Sequence, residues 1–165
     1  HQLLVHVLRT DAAVEGDGRF AEPAQLQAAG LGGVQRQRQV ALVLAQQADF
    51  TLVEGAGGWR VLLGEQATLA DLPIALDLPV ILVVGVRLGC INHALLSAEA
   101  IERDGLRLAG WVANIVEPKT SRLEENLATL SERLPAPCLG RVPHLGKATA
   151  AAVAEHLNLE LLADW

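Results

Sequence analysis

The stretch Pro79-Val-Ile-Leu-Val-Val-Gly-Val86 constrains this chain more than any other. It is almost wholly apolar and rich in β-branched side chains, bounded by a proline and, beyond Val86, by Arg87 and Gly89. A run of this length without a polar face is a strand buried on both sides, and such strands belong mostly to parallel sheets covered by helices. It is far too short, and too interrupted by Pro79 and Gly85, to cross a bilayer. The segments around it alternate in kind. Val40–Gln47, rich in Ala, Leu and Gln, reads as a helix end. Asp49–Glu54 reads as a buried strand that stops at Gly55-Ala-Gly-Gly58. A helix is expected from Thr68, with Asp71 close behind. Ile91–Asp104 is an amphipathic helix closed by Gly105. Leu108–Val116 is a strand. Leu123–Leu134 is a helix with Glu124 and Glu125 where the dipole favours acid. Cys138–Val142 is a short strand and Ala148–His156 a last helix. This alternation with short connections predicts an α/β fold, a largely parallel sheet flanked by helices.

At 165 residues the chain suits a single α/β domain, 1–165. Its two parts differ in texture. From His1 to about Gln39 the pattern is poor: glycines are scattered, Gln35-Arg-Gln-Arg-Gln39 has no apolar face, and Leu3–Leu8 fits a strand or a helix turn equally. The regular signals occupy residues 40–165. The formal charge of −6 excludes a general polyanion binder, so nucleic acid is not an expected partner. Aromatic residues at 3% leave no stacking platform for single strands. Cys90 and Cys138 are far apart and lack metal-ligand spacing, which points to a reducing, cytoplasmic setting, and no membrane segment is expected. There is no methionine, and the first residue is His1. The expectation from this is a piece of a longer reading frame.

In open α/β sheets ligands bind beyond the carboxyl ends of the strands. Three clusters follow strands here. In Glu54-Gly-Ala-Gly-Gly-Trp59, the carboxylate suits a hard cation such as Mg²⁺ and the glycines let backbone N–H groups approach an anion. A tight turn with a solvated or capping Glu fits that cluster equally well. In Arg87-Leu-Gly-Cys-Ile-Asn-His93, Arg87 can pair with a carboxylate or phosphate, Gly89 permits a sharp turn, and a helix N-terminus follows. Asn92 suits either substrate or helix capping, Cys90 is a small buried residue, and His93 reads as an ordinary first-turn residue. Asn114 ends its strand with an amide that can match an adenine edge or satisfy turn backbone. Trp111 reads as core. No Gly-x-x-x-x-Gly-Lys-Ser/Thr occurs, and neither Lys119 nor Lys147 lies in a glycine loop. The absence of Gly-x-Ser-x-Gly and His-Glu-x-x-His removes the common hydrolase and zinc-protease readings.

Four stretches in order, 47–59, 78–94, 108–114 and 134–140, resemble the dethiobiotin synthetase family, a likeness covering roughly residues 40–162. The resemblance implies a P-loop NTPase-like fold, here lacking the N-terminal P-loop unit, and a homodimer with sites at its interface. It implies an ATP-dependent ligase in which diaminopelargonic acid, CO₂ and MgATP give dethiobiotin, ADP and phosphate. A carbamate forms on one amine, ATP phosphorylates it, and the second amine closes the ureido ring. Carried over by residue, Glu54 is similar to the Mg²⁺-binding acid, and Gly55, Ala56, Gly57 and Gly58 to the lining of the phosphate and carbamate region. Arg87, Gly89, Cys90, Ile91 and Asn92 resemble the turn receiving the substrate's carboxylate tail. Asn114 resembles the adenine reader, and Pro143, His144 and Leu145 the later nucleotide-side loop. Ala148–Ala152 lacks the acidic residue the family often carries nearby. Phe20-Ala-Glu-Pro23 resembles a family segment whose neighbours do not continue the match, as a frameshift or partial gene would give; reading the upstream DNA in all frames tests that. Without the P-loop lysine this chain alone is expected to be inactive, with apolar strand surface left bare at the gap. Two other readings stay open: a remnant that binds without turnover, and a related cobyric-acid-type ligase, which would carry a Cys/His nucleophile region absent here.

Overall fold

The computed structural model describes residues 3–9, 33–48 and 50–162. Its elements in chain order are β1 (Leu3–Arg9), α1 (Gly33–Ala45), β2 (Phe50–Ala56), α2 (Asp71–Leu76), β3 (Val80–Val86), α3 (Cys90–Arg103), β4 (Leu108–Ile115), α4 (Leu123–Arg133), β5 (Cys138–Val142) and α5 (Ala150–Ala154), then a 3₁₀ turn over Leu159–Leu162. The segment Phe20–Pro23 and the glycines at 16, 18, 30 and 32 lie outside the described residues.

The strands form one sheet in the order β2-β1-β3-β4-β5. β3 pairs with β4 and β4 with β5 in parallel, whereas β1 is antiparallel to both β2 and β3. Four of the five strands therefore run the same way, and the expected largely parallel sheet holds with one reversed strand inside it. That strand resolves the ambiguity over Leu3–Leu8. It also corrects the expectation of an open gap, because β1 lies between β2 and β3 and pairs with each. A second correction concerns α1, which begins at Gly33 and takes in the Gln/Arg run. Its Ala41 and Ala45 are buried where the polar residues before them are not, so the contact face is two small side chains wide. The element boundaries from β3 onward move by no more than two residues from those expected, at α5.

The core divides over the two faces of the sheet. On one face Val80, Leu82, Val84 and Val86 of β3 pack with Trp111 and Ala113 of β4 under Ala94, Ala98 and Ile101 of α3 and Leu127 and Leu130 of α4. On the other, Ile81, Val112, Leu139 and Val142 pack with Leu145, Val153, Leu157 and Leu162 from the C-terminal segment. Fully burying aliphatic chains of this size stabilises a fold by roughly 1.5–3 kcal/mol each, which is why β3 needs no polar face. The outer edge of β5 is partly closed by an antiparallel bridge from Gly140 to Leu157 and by the Asn158 N–H donating to the Leu139 carbonyl at 2.7 Å. A side chain at position 140 would run into the His156 carbonyl, so the return of the chain onto β5 requires glycine there.

Candidate functional site

Because β2 and β3 run the same way on either side of β1, their carboxyl ends lie at the same end of the sheet. A cavity of about 440 Å³ opens there. One wall is the turn after β2, Gly57 to Arg60; the floor is Val84, Gly85 and Arg87; the other wall is Cys90, His93, Leu96, Ser97 and Ala100 of α3. This is the crevice where α/β sheets place ligands.

The turn exists because of two glycines. Gly57 has φ +95° and Gly58 φ +127°, which L side chains avoid. They reverse the chain so that Trp59 drops into the main core, 3% exposed. The opposite wall begins with Gly89 at φ +88°, the N-cap of α3. Cys90 then points inward, buried, and belongs to both the core and the cleft. Cys90, His93, Ser97 and Ala100 recur at three- and four-residue spacing, one stripe of the helix.

Trp59 and Arg60 are held from a distance. The Trp59 indole N–H donates to Asp104 Oδ2 at 2.7 Å, and Arg60 Nη2 donates to Asp104 Oδ1 at 2.8 Å. Asp104 is the C-cap of α3. Burial alone would push its carboxyl pKa up, but the hydrogen bonds from Arg60 and Trp59, with the charges of Arg60 and Arg103, outweigh that and hold it below the ordinary aspartate value. Among the described residues Arg60, Arg87 and His93 line the cleft, and no Asp or Glu does. In a chain of net charge −6 that lining is a local reversal, suited to an anion.

The residues named from sequence are brought together only in part. Gly57, Gly58, Arg87 and Cys90 meet across the cleft. Gly89 shapes its rim. Ile91 packs against the main core, and Asn92 stands exposed on the first turn of α3, where the N-cap position falls on Gly89 rather than on it. Asn114 is half-buried on β4, in register with Gly85 on one side and Val142 on the other, so it lies one strand beyond the cleft floor. Pro143 and Leu145 are half-buried, His144 is exposed, and Leu145 packs into the second core. Gly55 is buried beneath Leu69, which occupies the space a side chain would need; its smallness serves packing. Ala56 pairs with Leu3. Glu54 is exposed and does not line the cleft. It pairs with Val5, which pairs in turn with Ile81, placing it at a register position on the face away from α3. No group of three or more His, Cys, Asp or Glu gathers as a metal site among the described residues. Sequence reasoning passed over Arg60, His93 and Ser97 as cleft residues; the stripe from Cys90 along α3 was the available signal for the latter two.

Residues 7–152 match a family model described as an AAA domain, most of the chain. The chain belongs to the AAA-domain family. It is also 77% identical over 120 residues to the ATP-dependent dethiobiotin synthetase BioD of Pseudomonas aeruginosa, covering 73% of this chain and 53% of that one. Against the ATP-dependent dethiobiotin synthetase BioD of Cellvibrio japonicus it is 62% identical over 119 residues, 72% of this chain and 52% of the relative. Against that of Chromohalobacter salexigens it is 55% identical over 132 residues, 73% and 56%. The resemblance carried by the four stretches is thus borne out, and the chain spans about half the length of the curated relatives it matches. No helix among the described residues is long and apolar enough to cross a membrane.

Proposed function

We propose that this chain carries the substrate-side and base-side part of a dethiobiotin synthetase: MgATP-dependent closure of diaminopelargonic acid and CO₂ to dethiobiotin, with release of ADP and phosphate. The observation that carries this reading is the cleft itself, in which the Gly57-Gly58 turn faces Arg87 and the start of α3. Such chemistry needs positioning and charge stabilisation more than covalent help from the protein. Arg87 takes the carboxylate tail of the diamino acid, the Gly89–Asn92 turn shapes its seat, and Gly57 and Gly58 offer backbone to the carbamate and phosphate end. Asn114, with Pro143, His144 and Leu145 beside it across the sheet end, forms the base side. Glu54 is the proposed protein ligand of Mg²⁺. One exposed carboxylate on the face away from the cleft does not by itself hold Mg²⁺ at the phosphate end, and the described residues build no cage for it, so no step is assigned to the metal. The working assembly is proposed as a cytoplasmic homodimer.

The sequence holds no Gly-x-x-x-x-Gly-Lys-Ser/Thr, the motif whose backbone and lysine cradle the β- and γ-phosphates. An adenine contact from Asn114, about 1 kcal/mol net, does not hold ATP by itself. The chain alone therefore binds nucleotide feebly and does not turn it over. The test is to supply the purified chain with MgATP, bicarbonate and diaminopelargonic acid and to follow phosphate and dethiobiotin, alongside equilibrium binding of each substrate. Binding of the diamino acid without product is expected, with Asn92→Ala weakening the diamino acid and leaving ATP unchanged. Steady dethiobiotin production would show a complete site, and equal effects of Asn92→Ala on both ligands would remove it from the tail seat.

A further inference from the structure

The Gly57-Gly58 turn has little of its own to hold it still. Both residues lack side chains and lie at positive φ, and the hydrogen bond that closes the turn, from the Val61 N–H to the Gly58 carbonyl, is long at 3.4 Å. Before the glycines the chain is anchored where Ala56 pairs with Leu3. Behind them stands Asp104, whose two oxygens accept from the Trp59 indole at 2.7 Å and from Arg60 at 2.8 Å. The Arg60 side chain is 47% exposed, so the indole is the firmer of the two holds. The helix dipole disfavours a carboxylate at the C-terminal end of α3, and the charges of Arg60 and Arg103 beside it offset that. Since α3 is the opposite wall of the cleft, Asp104 latches one wall to the far end of the other.

Two tryptophans show why the latch matters to the turn. Trp111 is fully buried on β4, and its indole nitrogen finds no partner among the described residues; β3 and β5 on either side keep its strand in place regardless. Trp59 is as deeply buried but hangs on the glycine turn. A buried N–H deprived of its acceptor seeks water or another partner, and two glycines allow the chain to move to reach one. We propose that Asp104 is a positioning residue for the phosphate end of the cleft: by holding Trp59 through the indole it keeps the backbone of Gly57 and Gly58 in place before a ligand arrives. This deepens the proposed function and rests on it in taking that turn as the seat of the carbamate and phosphate end. A preformed turn binds an anion without first being ordered, whereas a loose one loses part of its affinity to ordering. Arg87 follows β3 on the other wall, so the seat of the carboxylate tail does not depend on the latch.

The test uses phosphonoacetamide, a stable methylene analogue of carbamoyl phosphate, as the probe of the carbamate and phosphate end, and nonanoate as the probe of the tail. Both are titrated by NMR at neutral pH into the isotope-labelled chain carrying Arg60→Ala. That background leaves the indole bond intact and takes the guanidinium that Asp104 would release out of the comparison. Within it, Asp104→Ala should weaken phosphonoacetamide roughly three- to tenfold and change nonanoate less than about twofold. Asp104→Asn keeps an acceptor for the indole and should stay within about twofold of the background for both probes. Asp104→Leu, similar in shape but without an acceptor, should behave as Asp104→Ala does and serves if that variant fails to fold. A role in stability alone would move both probes together or neither. Equal effects on the two probes, Asp104→Asn as damaging as Asp104→Ala, or no response of the Gly57 and Gly58 amide signals to phosphonoacetamide overturns the proposal. Diaminopelargonic acid is titrated in parallel. If it fails to bind while phosphonoacetamide depends on Asp104 as stated, the proposed reaction fails and the role of Asp104 stands. If it binds while phosphonoacetamide is indifferent to Asp104, the positioning role fails and the seat of the diamino acid stands.

Discussion

β3 and β2 flank the same reversed strand, yet they are opposite kinds of strand. Six of the seven residues of β3 are buried, and both its faces are covered, by α3 and α4 on one side and by the C-terminal segment on the other. β2 is the edge of the sheet and alternates: Thr51 and Gly55 are buried, Leu52 is 52% exposed and Glu54 is exposed. The cleft lies between the ends of the two. One wall thus hangs from an element fixed on every side. The other hangs from an edge strand and is tied back by Trp59 and Asp104. The cleft is thus built from one rigid and one tethered wall, with the tether supplied by a single carboxylate.

The largest expected effect tests whether the two strands differ energetically as they do in burial. Leu82→Ala, at a site fully buried under α3, should destabilise the protein by about 2–5 kcal/mol, whereas Leu52→Ala should cost no more than about 0.5 kcal/mol. Urea unfolding of both variants checks it, and equal costs would break the comparison. Next comes the covered edge at β5. Gly140→Ala meets the His156 backbone and should cost about 1–3 kcal/mol by forcing the C-terminal return off the strand. Gly64→Ala, in open space without a positive φ, should be near neutral, within about 0.5 kcal/mol, in the same assay. A smaller effect is expected at the rigid wall's hinge. Gly89 has room for a side chain but φ +88°, so Gly89→Ala should cost about 1 kcal/mol and Gly89→Asn less, a purely conformational difference readable from thermal melts.

The smallest effect concerns the tether. The folded pKa of Asp104 lies below its unfolded value, so its contribution to stability is fully present above about pH 4 and is lost as pH falls through the folded value. Stability measured from pH 6 downward should therefore fall slightly less steeply at its acid end in Asp104→Asn than in the parent chain. Identical acid limbs would mean that the carboxylate contributes nothing to holding the turn.

What could be read from sequence follows the same division. Where a strand is covered on both faces, as β3 and β4 are, burial selects apolar, β-branched residues, and the strand declares itself without neighbours. Gly105, Glu124 and Glu125 marked helix ends through local rules that tertiary structure did not override. The first half of α1, before the helix end read at Val40, was hidden because among the described residues only Ala41 and Ala45 are buried on the helix, too narrow a face to show periodicity. The direction of β1 was not readable at all, since side-chain alternation is the same for a strand run either way. In the site, Gly57, Gly58, Arg87 and Cys90 were readable because turns and strand ends leave glycine and charge in fixed order. The link from Asp104 to Trp59 and Arg60 was not, because nothing local at the end of a helix announces a partner 45 residues away. Gly55 is ambiguous for a physical reason: a glycine that makes room for Leu69 looks the same in sequence as one that makes room for a phosphate.

The central claim is that the cleft between the ends of β2 and β3 seats the diamino acid, with Arg87 on its carboxylate. Calorimetric titration of diaminopelargonic acid into the purified chain and into Arg87→Ala tests it directly. A charge-assisted contact of about 1.5–3 kcal/mol predicts saturable binding that weakens roughly 10- to 100-fold in the variant. Absence of binding, or equal affinity in the two proteins, would contradict it.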